Sequence, residues 1–93
     1  MLSLAELLKN ARSNKGFTLQ EVCDYAKISA AYLSDLENGN SSRPKIDFLQ
    51  KISEFLEINV DVLIISAGKI PPDVYWKIIR NPQILEAIRN IAV

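Results

Sequence analysis

The stretch TLQEVCDYAKISAAYLSDLEN, from Thr18 to Asn38, decides how the rest of this chain is read. Its first four residues, Thr18, Leu19, Gln20 and Glu21, have the form of a capping box: the threonine hydroxyl accepts the N3 amide, and the glutamate reaches back to the threonine N–H. The spacing predicts a helix over 18–26. Ser29 is of the type that caps a second helix, predicted over 30–38, and Gly39 follows Asn38 where a left-handed residue closes such a helix. Only Lys27, Ile28 and Ser29 separate the two. The result is a pair of short helices joined by a tight turn.

The same punctuation continues on either side. Gly16 and Gly68 also sit where helices should stop, because glycine adopts positive φ without steric cost. Pro44, Pro71, Pro72 and Pro82 sit where helices should open, since a fixed φ and a missing N–H do no harm in a first turn. Asn59 and Asn81 are placed as N-caps. Leu4, Leu7, Leu8 and Ala11, and later Ile46, Leu49, Ile52, Phe55 and Leu56, recur with the 3.6-residue period of an amphipathic helix. Further helices are therefore expected over 3–14, 45–56, 60–67, 71–80 and 82–91. Strand alternation is absent. The fold class is all-α, with a five-helix unit over 1–68 followed by a helical hairpin over 69–93.

Composition narrows the function. Ninety-three residues, 48% of them apolar, suit one compact domain with an appendage. The longest apolar run, Val62 to Ile65, is far too short to cross a bilayer, and no cationic-then-apolar leader opens the chain, so a soluble, cytoplasmic protein is expected. There is no histidine and a single cysteine, Cys23, which excludes an intrachain disulfide and leaves no expected metal site, cofactor or catalytic constellation. The sequence is not that of an enzyme. Eleven basic and eleven acidic residues cancel, but unevenly: 1–68 carries seven Lys or Arg against nine Asp or Glu, and 69–93 carries four against two. Any nucleic-acid binding must come from a local basic patch.

The two helices around Lys27-Ile28-Ser29 have the spacing of a helix-turn-helix. Around them, Arg12 to Cys23, Ile28-Ser29, Tyr32-Leu33-Ser34, Leu36 to Gly39, Pro44 and Ile58 to Val60 together resemble the lambda-repressor-like (XRE) helix-turn-helix family over about residues 3 to 67. The resemblance is tightest to the SinR-like repressors of Gram-positive bacteria and their phages. It implies a transcriptional regulator with five helices, helix 3 in the major groove of a double-stranded DNA operator and helix 2 across the backbone. Carried over position by position, Ser29, Ala30, Ala31, Tyr32, Ser34 and Asp35 lie on or near the groove-facing surface. Asn38, Asn40, Ser41, Ser42, Arg43 and Lys45 border the backbone, and Thr18 joins them at the start of helix 2. Arg12 and Glu37 match positions that form a partly buried ion pair in the family.

Each residue also has a plainer reading. Ser29 serves as a cap whether or not it meets phosphate. Ala30 and Ala31 are good helix formers as well as partners for thymine methyls. Tyr32 falls between core and surface, with a hydroxyl able to reach phosphate or base. Arg43 and Lys45 precede helix 4 directly, where phosphate contact sets register, yet they are also ordinary loop charges. Cys23 stands where the family prefers a small residue, so burial explains it. Leu19 replaces a glutamine that braces phosphate in many relatives, and the reading helix has few long polar side chains. That shortage points to dimerization, to shape and methyl readout, or to lost DNA binding.

The ending AGKIPPDVYWKIIRNPQILEAIRN resembles, more loosely, tails of small regulators of the same family. Trp76, Ile79, Ile84, Leu85, Ile88 and Ile91 are too many apolar groups for a solvated tail. They are expected to form a homodimer seam or to dock a small antagonist protein, with packing onto the chain's own five helices as the alternative. The principal expectation is a dimeric repressor. Its rival is an interaction module that modulates another regulator through these C-terminal helices without reading DNA.

Overall fold

A computed structural model describes residues 2–40 and 44–92, and among these the chain forms helices only. They are α1 (Leu4–Lys15), α2 (Leu19–Ala26), α3 (Ala30–Glu37), α4 (Ile46–Leu56), α5 (Val60–Ser66), α6 (Pro72–Arg80) and α7 (Ile84–Arg89). Six of the seven begin within one residue of their expected start, α4 and α6 losing only their first residue to the cap position, and α7 begins two residues late. At α2 the full capping box forms: Glu21 N–H donates to Thr18 Oγ1 at 3.1 Å, and Thr18 N–H donates to Glu21 Oε1 at 2.9 Å. Ser29 Oγ accepts from Tyr32 N–H at 3.1 Å, and Asn59 Oδ1 accepts from Asp61 and Val62.

The ends of α1 to α5 follow one pattern. Gly16, Gly39 and Gly68 all have positive φ, and at Gly39 the next N–H, of Asn40, donates back to Asp35 C=O at 2.8 Å. Two ends use the same left-handed conformation without glycine, at Lys27 and Glu57, each with φ 55°. A side chain in that region costs about 1–2 kcal/mol, part of which glycine would forfeit through its freer unfolded state. Lys27→Gly should therefore raise stability by roughly 0.5 kcal/mol, read as a higher urea midpoint with an unchanged slope. A lower midpoint would show that the Lys27 side chain makes a compensating contact.

The core belongs to the first five helices. Leu8 of α1, Val22, Cys23 and Ala26 of α2, Leu33 and Leu36 of α3, Leu49, Ile52 and Leu56 of α4, and Leu63 and Ile64 of α5 are all buried. α1 packs on α3, α4 and α5, and α2 packs on α3 and α4. An aromatic column covers one side, with Phe17 stacked on Phe55 at 4.5 Å and Phe55 on Tyr25 at 4.2 Å. Lys51 Nζ lies 5.9 Å from the Tyr25 ring centre. Such pairs contribute about 0.5–1.5 kcal/mol each beyond area burial. Lys15 and Glu57 form an exposed ion pair between the ends of α1 and α4, of little energetic weight.

α6 and α7 contribute nothing to that core, and neither packs extensively on another described helix. The radius of gyration is 15.1 Å, against about 12 Å for a compact chain of this length. The long dimension is 46 Å against 24 and 22 Å. The alternative reading, in which the hairpin packs onto the chain's own five helices, is therefore not what the described residues show. Its second helix is also shorter than expected. Asn81 does not cap it: the Asn81 side-chain amide donates to Lys77 C=O at 3.0 Å, closing α6, while Asn81 C=O accepts from Ile84 N–H at 3.0 Å. Pro82 and Gln83 form a turn instead of a first helical turn, and α7 starts at Ile84.

Candidate nucleic-acid interface

The outward face of α3 follows from its inward one. Leu33, Leu36 and Glu37 point into the protein, so the 100° step per residue turns Ala31 and Asp35 to the opposite side; both are exposed, and so is Ala30, which lies on the Leu33 side but at the open first position of the helix. Tyr32 and Ser34 are half-buried on the shoulders of this face. Tyr32 is oriented by α4, since Phe48 meets its ring edge-on at 5.9 Å and 68°. Ser34 Oγ accepts from the Asn38 amide at 3.3 Å, which ties the exposed Asn38 side chain back along the helix.

The helix is held to α1 by an ion pair. Arg12 Nε donates to Glu37 Oε2 at 2.7 Å and Arg12 Nη2 to Glu37 Oε1 at 2.9 Å, a bidentate fork, while Nη1 donates to Phe17 C=O at 2.9 Å. Glu37 is 8% exposed. Hydrogen bonding to Glu37 raises the Arg12 pKa, outweighing the opposing effect of burial. Both charges are satisfied at the base of α3, and neither is available on its outer face.

Other candidate residues surround this face. Thr18 is exposed at the start of α2, with its hydroxyl already accepting the Glu21 amide. Ser29 is likewise exposed and capping, so each hydroxyl keeps its O–H for a further acceptor. Asn40 is exposed beyond Gly39, and Lys45 is exposed at the N-cap of α4, where its side chain makes no capping bond. Ser41, Ser42 and Arg43 lie outside the described residues. Leu19 is half-buried against the core. Cys23 is buried, and burial first, then the nearby Asp24 and Glu37 charges, pushes its thiol pKa up, which suits a packing residue and not a reactive one.

A second surface is apolar. Trp76 and Ile79 of α6 are 54% and 53% exposed, and Ile84, Leu85, Ile88 and Ile91 are exposed as well. Sequence reasoning missed further exposed apolar residues: Val62 and Ile65 of α5, Ile70 of the connection, and Val74 and Tyr75 of α6. A signal was present. Four consecutive apolar residues on a helix, Val62 to Ile65, sweep about 300° and cannot all face one core. Asp73, Trp76, Lys77 and Arg80 share a shallow surface depression on α6. Among the described residues no helix is long and apolar enough to cross a membrane, and no cluster of His, Cys, Asp and Glu could hold a metal ion.

Residues 8–63 match the family described as Helix-turn-helix. The chain belongs to that family. It is a family of DNA-binding transcriptional regulators and not of enzymes. The chain is 33% identical over 61 residues to the HTH-type transcriptional regulator SinR of Bacillus subtilis, covering 66% of this chain and 55% of that protein. It is 36% identical over 66 residues to the transcriptional regulator ClgR of Mycobacterium tuberculosis, covering 71% and 58%. Thus the chain matches little more than half the length of these relatives. The crystal structure of SinR, the master regulator for biofilm formation, in complex with DNA superposes with a TM-score of 0.59 at 33% identity, covering 64% of this chain and 95% of that one. The SinR–SinI protein complex superposes with a TM-score of 0.61 at 28% identity, covering 86% and 78%. The second likeness reaches further along this chain than the first.

Proposed function

We propose that this chain is a sequence-specific transcriptional regulator, a bacterial cytoplasmic repressor that binds a palindromic operator as a homodimer. One observation carries the DNA part: the outward face of α3 is exposed, presents Ala31 and Asp35 with Tyr32 and Ser34 at its shoulders and Ala30 exposed at the helix start, and belongs to a domain that superposes on SinR bound to DNA. In this reading α3 enters the major groove. Thr18, Ser29, Asn38 and Asn40 border the phosphates with Lys45, joined by Ser41, Ser42 and Arg43. Residues 1–68 form the DNA-binding domain, and 69–93 form the dimerization segment. Trp76, Ile79, Ile84, Leu85, Ile88 and Ile91 meet their counterparts in a second copy, because so many exposed apolar side chains on two short helices mark an interaction surface. Dimerization places two reading helices one helical turn of DNA, or a small multiple, apart.

Phosphate contact gives this reading its test. Affinity for a selected duplex, followed by fluorescence anisotropy, should fall steeply with salt, and Arg43→Ala or Lys45→Ala should each weaken binding while reducing the magnitude of the salt slope by about one. Equal affinity for selected and random DNA at every salt concentration would sink it.

A second reading is favoured by the near-neutral face of α3 together with the uncovered hairpin. Here the chain modulates another regulator through α6 and α7, and the likeness to the SinR–SinI protein complex supports a protein partner. Affinity capture from the host would then recover a partner protein, and Trp76→Ala would abolish the complex. Recovery of operator DNA with no protein partner counts against this second reading.

A further inference from the structure

Asp35 is the only charged side chain that α3 turns outward, since the other carboxylate of that helix, Glu37, is buried against Arg12. Its neighbours on the face offer little competition. Ala31, one turn earlier, presents a methyl group, and the Asn38 amide, nearly one turn later, already donates to Ser34. An ionised carboxylate has acceptors only, so it can pair with a base edge only where that edge offers a donor. In the major groove guanine shows O6 and N7, both acceptors, and thymine shows O4 and a methyl group. Adenine places its N6 amino group beside the N7 acceptor, which repels a carboxylate. Cytosine alone shows a donor, its N4 amino group, without an adjacent acceptor on the same base.

We infer that Asp35 is the specificity-determining residue of the reading face, accepting a hydrogen bond from the N4 amino group of one cytosine in each operator half-site. The assignment rests on the DNA-binding reading above. It explains why a near-neutral surface keeps an acidic group where phosphates crowd. The carboxylate is repelled by every DNA sequence, and a donor at the right position offsets that repulsion in the operator alone. Discrimination then comes from an unfavourable contact with wrong sites as much as from a favourable one with the right site. Ala30 and Ala31, which carry methyl groups only, add thymine contacts beside the cytosine.

The test is in vitro selection from randomised duplexes with the full chain, the Asp35→Ala chain and the Asp35→Asn chain, followed by titration of each against selected and random DNA. Wild type should enrich cytosine at one position of each half-site. Asp35→Ala should lose that preference at that position alone, by a factor on the order of 10, and should bind random duplex more tightly than wild type. Asp35→Asn should move the preference to adenine, because a carboxamide pairs with N6 and N7 together. Asp35 is exposed and outside the core, so the urea midpoint of both variants should match wild type and serves as the folding control. If wild type enriches a sequence and Asp35→Ala enriches the same one, the assignment is overturned while DNA binding stands. If wild type enriches nothing, the DNA-binding reading falls and the assignment with it.

Discussion

Glu37→Ala is expected to lower the stability of the domain by about 3–5 kcal/mol. Arg12 would lose both carboxylate acceptors and keep only its bond to Phe17 C=O, leaving a guanidinium that cannot shed its charge at the end of α1. Small domains are stable by only about 5–15 kcal/mol in total, so the variant should sit near its unfolding transition at ordinary temperature. Urea titration followed by circular dichroism reads the loss directly. Replacing both partners, as Arg12→Met with Glu37→Leu, should recover most of it, because two apolar side chains leave no charge stranded. A loss below about 1 kcal/mol for Glu37→Ala would show that the pair behaves as a surface bridge. The pair also fixes α3 on α1, so the reading face should lose its alignment before the domain unfolds.

The other large effect concerns association. Ile79→Glu combined with Ile88→Glu places two charges on the exposed apolar surface of the hairpin. Light scattering should then give the mass of one chain, 10.4 kDa, against the twofold mass expected of the unchanged protein under the proposed dimer. Neither residue touches the core of α1 to α5, so the unfolding midpoint of the N-terminal unit, followed well below the dimer dissociation constant, should hardly move. Operator affinity should fall by roughly 10²–10⁴, because the second half-site is no longer presented at high effective concentration. A variant that remains dimeric, or that keeps full affinity as a monomer, would contradict the assignment of this surface.

Local chemistry made most of the fold legible. The Thr18–Glu21 box, the Ser29 and Asn59 caps and the three glycines each act through neighbours within four residues, so sequence spacing alone reveals them. Lys27 and Glu57 end helices in the same left-handed conformation, but neither residue type announces it; only the packing of the following Ile28 and Ile58 against the core requires it. Asn81 was ambiguous by nature, because its side chain can serve a helix that follows or one that precedes, and here it serves the latter. The stack of Phe17, Phe55 and Tyr25 joins residues far apart in the chain and leaves no local signature.

The outward face of α3 was legible for a different reason. Leu33 and Leu36 face inward at helical spacing, and that fixes where Ala31 and Asp35 must point. The pairing of Arg12 with Glu37 came from family resemblance, since nothing in spacing links residues on α1 and α3. What Tyr32 does with its ring depended on Phe48, a residue on another helix that no periodicity in α3 could reveal. For the hairpin, hydrophobic content pointed to a partner surface, but content alone could not tell whether that surface was covered by the same chain. Its exposure in the fold answers that question.

Mapping the DNA bound by the intact chain across the genome of its host tests the central claim most directly. Discrete peaks centred on one inverted repeat, with half-sites about a helical turn or a small multiple apart, are the predicted result. Coverage no different from that of an unrelated protein of the same charge would contradict it.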